Sequence, residues 1–260
     1  MNLFDLPLWL SGTILVVGLS GFSLGAEWIV RRHLMPRLHM RPHEAEYPST
    51  VIASVMVFYG LIAALVAITV WERHTLVGER AAGEATAIAM LWRDVGGYPP
   101  LEREALRSAL RAYTEYVIDE AWPEYRKGRI PSEGVDKLDN FQATLFTFEP
   151  ASESQRALHA NALRVYDQLV QMRRLRLDAV GTGLPGVLWF LVICGALISL
   201  VVALFFPVED GRYQGILVVS LSCLMALVIL VILALDQPFR GDLGISPESF
   251  RLVHDHLMTR

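Results

Sequence analysis

The sequence predicts an all-α integral membrane protein, with four transmembrane helices in two pairs and a helical extramembrane domain between spans two and three. Hydrophobic residues make up 53% of the 260 residues and charged residues only 19%, against about 25% in a typical soluble domain. The charged residues are absent from four long windows, arranged as two pairs around one long polar segment. These windows are residues 6–26, 47–71, 179–208 and 213–235.

Each charge-free window is long enough to cross a bilayer. The windows contain 21, 25, 30 and 23 residues, and a helix needs roughly 20 apolar residues to span the hydrocarbon core. We expect the first window to stay in the mature protein and not to be removed as a signal peptide. Asp5 stands where a signal peptide has basic residues, and no small-residue cleavage site follows. Aromatic residues that favour the headgroup region stand near the window ends: Trp9, Trp28, Tyr47, Trp71, Trp189 and Tyr213.

The order of the windows divides the chain into four parts. We expect a first transmembrane pair over residues 1–71, a helical extramembrane domain over 72–178, a second pair over 179–235 and a tail with a short helix over 236–260. The two short loops then lie on one side of the membrane, and the termini and the long segment on the other. Basic residues flank the spans on both sides, which leaves the orientation open.

The long polar segment, with 17 acidic and 15 basic residues, is predicted to be mostly helical. The segment directly after Trp71 begins Glu72-Arg73-His74, without Gly or Pro, so the helix of span two should continue past the bilayer. A helix should likewise run into span three. Apolar spacing predicts helices from Pro100 to about Trp122 and from Ser152 onward. Residues 124–150 should be loop-like with a short helix at 137–146. In the tail, Ser246 should cap a helix, with Pro247 in first position, that lies on the membrane or on the middle domain.

Small residues predict where the helices pack closely. Gly21 and Gly25 in span one, and Gly195 and Ser199 in span three, are four residues apart, a spacing that lets helix backbones approach in lipid. Such contacts can form within one chain or between chains, and the pattern leaves both open. Span two carries a comparable small-residue face, made by Ala53, Gly60, Ala64 and Ala67.

A second face of span two is the candidate pore lining. Ser54, Phe58, Leu61 and Leu65 lie about 100° around the helix from the small residues. A mostly apolar face with one hydroxyl suits a hydrophobic constriction that gates by dewetting. The same face also suits contact with lipid or with span three, so the residues alone do not decide.

Several other functions are disfavoured. A net charge of −4 gives no basic excess for nucleic acid. Common enzyme motifs for a metalloprotease, a serine hydrolase or a phosphate-binding loop are missing, so we expect neither an enzyme nor a bound cofactor.

Two cysteines exclude a disulfide scaffold, and the histidines at 39, 43, 254 and 256 are not expected to bind metal. Glu27 lies one turn before Arg31, where an ion pair explains it, and a span centre without ionisable groups disfavours a proton-coupled transporter.

Short motifs follow one another in order across about 200 residues. They are Val57-Phe58-Tyr59-Gly60, Trp71-Glu72-Arg73, Leu91-Trp92-Arg93, Ala121-Trp122-Pro123, Leu188-Trp189 with Gly195-Ala196, and Asp236-Gln237-Pro238-Phe239-Arg240-Gly241. In this order they resemble the bestrophin-like domain family of bacterial membrane proteins, a domain of unknown function that is distantly similar to the bestrophin anion channels.

The resemblance implies a pentamer in the bacterial inner membrane, with span two lining an anion pore and with the termini and middle domain in the cytoplasm. Ser54 and Phe58 would then face the axis as neck residues, with Leu61 and Leu65 below. The tail motif of Asp236, Pro238, Phe239 and Gly241 matches the calcium clasp of animal bestrophins only in part and lacks its acidic run, so no calcium site is expected.

Our leading hypothesis is therefore a homo-oligomeric, anion-selective channel whose partners are the lipid bilayer and small inorganic ions. The alternative is a non-conducting, membrane-anchored interaction or sensory module whose helical domain recruits a partner. A solvent-exposed apolar patch on the middle domain would favour the second hypothesis.

Overall fold

The computed structural model describes residues 7–34, 46–205 and 211–259. This part of the chain is about 84% helix and contains no strand, which confirms the all-α class. Of the residues considered above, Asp5, His39 and His43 lie outside it. The helices are α1 Leu8–Ile29, α2 Glu46–Val95, α3 Pro100–Tyr116, α4 Trp122–Arg126, α5 Glu133–Thr147, α6 Glu153–Leu177, α7 Gly186–Leu204, α8 Gly211–Asp236 and α9 Glu248–Val253.

Four of these helices are long and apolar enough to cross a membrane, as the charge-free windows predicted. The candidate spans are Leu8–Leu34, Thr50–Val95, Gly186–Leu204 and Gly211–Asp236. The first includes a π-helical turn over Val30–Leu34 that extends α1. Helix α2 continues to Val95 without a break, which confirms that the helix of span two runs on beyond Trp71.

The chain divides into two compact units. The span unit contains Met1–Glu72 and Gly183–Asp236, and the helical unit contains Arg73–Thr182 and Gln237–Arg260. Helix α2 contributes to both units, since it runs through the division at Glu72. The tail belongs to the helical unit together with the middle segment.

In the span unit, α1 and α8 pack side by side in opposite directions. A Cβ on Gly12 would lie 2.8 Å from Leu230 Cδ2, and one on Gly215 would lie 3.4 Å from Glu27 Oε2. The start of α1 thus contacts the end of α8, and the end of α1 contacts the start of α8, so the two helices are antiparallel. A separate apolar cluster joins α2, α7 and α8 through Tyr59, Ala63, Val66, Val70, Val192, Ala196, Leu200, Met225, Ile229, Ile232 and Leu235.

The core of the helical unit is built from α2, α3, α4, α5, α6 and the tail. Leu106 and Leu110 of α3 and Leu169 of α6 are fully buried in it, at the helical spacing that the sequence indicates. Phe250 of α9 is buried in the same cluster. Of the two positions left open for the tail helix, the structure therefore shows packing on the middle segment.

One sequence-based expectation about span three is wrong. Helix α6 ends at Leu177 and α7 begins only at Gly186, so no continuous helix leads into the span. Gly181 takes φ +73°, a conformation that favours glycine and ends helical geometry. Pro185 is the N-cap of α7. Because proline has no N–H to donate to a preceding helical turn, it cannot continue a helix that arrives from residues before it. Ala179 and Val180, inside the third window, are buried in the helical unit instead.

Three smaller expectations also change. The short helix at 137–146 is longer and runs over Glu133–Thr147, because its apolar residues Leu138, Phe141 and Leu145 are all buried. The helix expected to stop near Trp122 continues to Arg126 through a π-helical turn over Val117–Ala121. Such a wider turn tolerates Pro123, which has no N–H to donate. The tail helix begins at Glu248, with Pro247 and not Ser246 at its N-cap.

Candidate functional site

The candidate pore face of α2 is exposed within the single chain. Phe58 is 66% exposed, Leu61 57% and Leu65 56%, and Ser54 is exposed as well, with its hydroxyl donating to the Thr50 carbonyl at 2.9 Å. These four residues form a single stripe, because their spacing of four, three and four residues follows the helical turn. We call them the α2 stripe.

The opposite face of α2 makes the contacts inside the chain. Tyr59, Ala63, Val66 and Val70 are buried against α7 and α8. At 3.6 residues per turn, this buried face lies about 140° around the helix from the α2 stripe. The buried face, and not the α2 stripe, therefore makes the contact between α2 and span three. Contact with span three within the chain does not explain why the stripe is apolar.

The small residues of α2 form a third face, which is open at Ala53, Gly60 and Ala64, while Ala67 packs against the apolar cluster of α2, α7 and α8. Gly60 and Ala64 are exposed, and a Cβ added at Gly60 would meet no described atom within 4 Å. This face lies about 110° from the α2 stripe. A helix with two unpartnered faces, one large and apolar and one small, has the surfaces needed to pack beside a second copy of itself.

The other predicted packing residues separate into two groups. Added Cβ atoms at Gly21 and Gly25 of α1 would meet no described atom within 4 Å, whereas one at Gly195 of α7 would lie 2.7 Å from Tyr59 Cδ2. Ser199 is fully buried. Gly195 and Ser199 therefore serve packing within the chain, and close packing at Gly21 and Gly25 stays a prediction that concerns contacts with other molecules.

The tail motif begins with a carboxylate that caps a helix. Asp236 Oδ1 accepts a hydrogen bond from the Leu184 backbone N–H at 2.5 Å, and Oδ2 accepts one from Trp189 Nε1–H at 3.3 Å. The start of α7, where backbone N–H groups lack helical partners, thereby receives a negative charge from the end of α8. Asp236 thus has a structural role in the span unit.

The rest of the motif belongs to the helical unit. Phe239 is buried and lies against Trp122 and Tyr125, with ring centroids 5.6 and 5.8 Å apart. The Pro238 carbonyl accepts from the Ile245 N–H at 2.8 Å, and Gly241, with φ +69°, permits the tight turn between them. The described residues contain no group of three or more His, Cys, Asp or Glu able to hold a metal.

A buried ion pair joins α2 to α6 in the helical unit, and the sequence analysis missed it. Arg176 Nε and Nη2 donate to Glu84 Oε2 and Oε1 at 2.7 and 3.0 Å, and the Tyr113 hydroxyl donates to Glu84 Oε1 at 2.6 Å. Both charged side chains are fully buried. One signal was available: Arg176 lies seven residues after Leu169, on the apolar stripe of α6.

The surroundings of the pair change the pKa of Tyr113 and of Arg176. Burial, followed by the Glu84 carboxylate, raises the pKa of Tyr113 well above its usual value. Burial alone would lower the pKa of Arg176, but attraction and hydrogen bonds from Glu84 raise it well above its usual value. Trp122, Tyr125 and Phe250 surround the guanidinium with centroids 5.4, 5.0 and 5.6 Å away, which is the range of cation–π attraction.

Comparison with known proteins supports one assignment. The model of the bestrophin-like domain matches residues 17–250, which include the α2 stripe, the buried ion pair and the tail motif. No curated protein and no solved structure matches the chain. With four helices long enough to cross a bilayer, the match indicates a multi-pass membrane protein. The chain belongs to the bestrophin-like domain family.

Proposed function

We propose that the protein is a homo-oligomeric ion channel in which α2 of each copy lines a central pore. The observation that carries the proposal is the exposure of the α2 stripe, Ser54, Phe58, Leu61 and Leu65, on the face opposite to the one used inside the chain. Since the fold of one chain leaves this stripe without protein partners among the described residues, a ring of copies can direct it toward an axis. Apolar rings of this kind gate ion flow by dewetting.

The small-residue face supports the same arrangement. In a ring of α2 helices, each helix needs a lateral surface on which its neighbour can approach closely. Gly60 and Ala64 supply such a surface beside the stripe, and the lack of neighbours around Gly60 leaves it free for this contact. A pentamer is the stoichiometry that the family resemblance favours.

The proposed membrane arrangement follows the sequence and the family resemblance. The four spans form two pairs in the bacterial inner membrane. The helical unit and the tail lie in the cytoplasm, and the short loops lie on the opposite side of the membrane. The lipid bilayer and small inorganic ions are the proposed partners; nucleic acid binding, enzymatic activity and a bound cofactor are not part of the proposal.

Anion selectivity is proposed from the basic residues that follow span two. The Arg73 guanidinium donates to Thr182 Oγ1 at 2.7 Å, and His74 Nε2 lies 3.0 Å from the Leu243 carbonyl. These contacts hold both side chains in place beside the end of the apolar part of α2. A fixed positive charge such as the Arg73 guanidinium raises the local concentration of anions near a pore mouth.

Conduction is tested with purified protein in liposomes. Wild-type protein should carry chloride, and Phe58→Trp, Phe58→Ala, Leu65→Trp and Leu65→Ala should each change the conductance. Leu224→Trp is the matched control, since Leu224 is an equally exposed apolar residue of α8. Currents unchanged in all four stripe variants would remove α2 from the pore. Wild-type liposomes that conduct no ion would overturn the channel and favour the interaction or sensory module.

Selectivity needs a separate measurement. In a potassium chloride gradient, an anion channel gives a reversal potential close to the chloride equilibrium potential. Arg73→Gln should move the reversal potential toward zero, while Arg129→Gln, a charge loss at an exposed site in the helical unit, should leave it unchanged. A reversal potential near that of potassium would contradict anion selectivity while leaving the pore itself intact.

A further inference from the structure

Three buried hydroxyl groups in the span unit have no hydrogen-bond partner among the residues that the structure describes. They are Ser20 Oγ of α1, the Tyr59 hydroxyl of α2 and Ser199 Oγ of α7. Tyr59 is only 8% exposed and Ser199 is completely buried, so the chain itself shields both side chains from solvent. A buried hydroxyl without a partner is unfavourable, because it has given up its hydrogen bonds to water. A ligand that supplies the missing partners is therefore expected.

Other serine and threonine hydroxyls of the spans are used within their own helix. Each of them donates to the backbone carbonyl four residues earlier, a common arrangement in apolar helices. Seven hydroxyls do so: Ser11, Thr13, Ser23, Ser54, Thr69, Ser220 and Ser222. Ser20 and Ser199 do not form this bond. Their hydroxyls therefore remain available to a group outside the helix backbone.

Contacts between α1 and α8 place Ser20 level with a fourth hydroxyl. Gly12 faces the Leu230 side chain and the two helices are antiparallel, so a residue eight after Gly12 lies opposite one eight before Leu230. These residues are Ser20 and Ser222. Ser222 is completely buried. Its hydroxyl donates to the Val218 carbonyl at 2.7 Å, and its oxygen can still accept a hydrogen bond.

Ser199 lies at the same level of α8. Asp236, at the end of α8, caps the start of α7 at the Leu184 N–H, so these two helices also run in opposite directions. Ser199 follows the capped residue by 15 positions, and Ser222 precedes the capping residue by 14. At a rise of about 1.5 Å per residue, the two serines therefore differ in height by only about 1.5 Å.

The Tyr59 ring extends toward this level from α2. A Cβ on Gly195 would lie 2.7 Å from Tyr59 Cδ2 and 3.1 Å from Cε2. Helix α2 is antiparallel to α7, since Arg73, later in α2, contacts Thr182, which precedes α7. Side chains of a helix lean toward its N-terminus, which for Tyr59 is the direction from Gly195 to Ser199 along α7. Each of the four spans thus contributes one hydroxyl near the same level.

The chemistry of this level favours a small neutral ligand. All four hydroxyls lie inside the charge-free windows, and an apolar cluster joins α2, α7 and α8 around them. An ion in such surroundings lacks a counter-charge and is costly to bury. A water molecule both donates and accepts hydrogen bonds, and buried waters in proteins bind to polar groups that have no other partner.

We propose that water is bound inside the span unit at this level. It accepts hydrogen bonds from the Tyr59 and Ser199 hydroxyls and donates to Ser222 Oγ, and Ser20 completes the network from α1. The bound water joins α2 to α7 and α8 through polar contacts, on the face of α2 that packs inside the chain. This site is separate from the α2 stripe, and its test does not depend on conduction.

Radiolytic hydroxyl labelling of the intact protein in detergent, read by mass spectrometry, tests for this water directly. X-rays produce hydroxyl radicals from bound as well as bulk water, so a buried side chain that touches a bound water is labelled. Tyr59 should be labelled several-fold more than Tyr113, which is completely buried and whose hydroxyl is used within the protein. Equal labelling of the two tyrosines would overturn the proposal.

Matched variants assign the label to this site. Ser199→Ala removes one partner of the water and should lower the labelling of Tyr59. Ser220→Ala, at an exposed position of α8 where the hydroxyl donates to its own helix, should leave the labelling unchanged. If the two variants have the same effect on Tyr59, water at Ser199 is not the source of the label and the proposal fails.

Thermal unfolding adds a test that depends on the sign of the change. If water bridges the hydroxyls, Tyr59→Phe and Ser199→Ala each remove a hydrogen bond and should lower the midpoint by roughly 2–4 °C. If the hydroxyls have no partner, both variants remove an unfavourable buried group and the midpoint rises, which contradicts bound water. Replacing chloride by gluconate should leave the wild-type midpoint unchanged. A midpoint that falls without chloride in wild type, but not in Ser199→Ala, would assign the site to an anion instead.

Discussion

The Glu84 and Arg176 pair places two opposite charges in the apolar core of the helical unit. A charge removed from water is tolerated when it is paired and when its remaining hydrogen-bonding capacity is used. The Tyr113 hydroxyl supplies one such bond to Glu84, and three aromatic rings surround the guanidinium. The pair therefore fixes which residues of α2, α3 and α6 face one another.

Removing one member of this pair should destabilise the protein strongly. Arg176→Met leaves the Glu84 carboxylate buried without its partner, at a cost of about 3–5 kcal/mol in the free energy of unfolding. Adding Glu84→Gln should recover part of this loss, because a neutral amide is cheaper to bury and still accepts from Tyr113. Thermal unfolding followed by near-UV circular dichroism measures both effects. Arg174→Met, at an exposed position of the same helix, should leave the thermal unfolding midpoint unchanged. If it lowers the midpoint as much as Arg176→Met does, the loss of stability does not come from the buried ion pair.

His254, near the end of the tail, contacts two carboxylates: Asp255, the next residue in the chain, and Glu115 of α3. Its Nδ1 lies 2.9 Å from Asp255 Oδ1, and its Nε2 lies 3.3 Å from Glu115 Oε1. The hydrogen bond to Asp255 raises the pKa of His254; burial opposes this change and Glu115 adds to it. The Arg111 guanidinium fixes the same region by donating to the Met258 carbonyl at 2.6 Å.

These contacts predict a pH dependence of stability. Because the folded pKa of His254 is raised, its contribution is complete below about pH 6.5, the value in an unfolded chain, and is lost as the pH rises through the folded pKa. The contribution should be less than ~1 kcal/mol, since the groups are partly exposed. Thermal midpoints from pH 5 to pH 9 should show this decline for wild type and less of it for His254→Gln. His256→Gln, an exposed neighbour, should keep the full slope; a slope that survives in His254→Gln would assign it to another group.

At the scale of elements, α2 has three faces with different partners. The face of Tyr59 packs inside the chain, and the α2 stripe and the small-residue face are left open. The helix also continues into the helical unit as far as Val95, where Glu84 forms the buried pair. One sequence element thus carries both the proposed pore surface and a main anchor of the second unit.

Two glycines distinguish packing within the chain from packing between chains. Gly195→Val should lower stability by about 1–3 kcal/mol, because its new side chain overlaps the Tyr59 ring. Gly60→Val adds a side chain into space that is open in the single chain and should instead weaken assembly of the oligomer. Thermal unfolding and light scattering after gel filtration separate the two effects. If Gly60→Val leaves the assembled mass unchanged, the small-residue face is not a subunit contact.

Elements with a local sequence signal could be predicted, and those that depend on distant partners could not. The charge-free windows identify the spans, since length and hydropathy are local properties. The same criterion placed Ala179 and Val180 in span three, although Gly181 and Pro185 interrupt the chain and both residues are buried in the helical unit. The pairing of Glu84 with Arg176 joins positions 92 residues apart, and no local pattern specifies such a partner.

For the whole molecule, the central question is what covers the exposed α2 stripe. Lipid can cover an apolar helix face without any protein contact, and a single chain with four spans has little room for an aqueous path. A ring of copies changes this, because stripes from neighbouring chains then face one another across a narrow axis. Assembly into an oligomer is therefore a condition for conduction in this fold.

Cysteine cross-linking tests this arrangement. In a background with Cys194 and Cys223 replaced by alanine, Phe58→Cys and Leu61→Cys should form intermolecular disulfides on oxidation. A disulfide requires two Cα atoms within about 7 Å, a separation that neighbouring chains reach only close to a shared axis. Leu224→Cys, equally apolar and exposed on α8, should stay monomeric on a denaturing gel. Efficient cross-linking at Leu224 with none at Phe58 or Leu61 would place α8, and not α2, at the subunit contact, and the stripe would then face lipid.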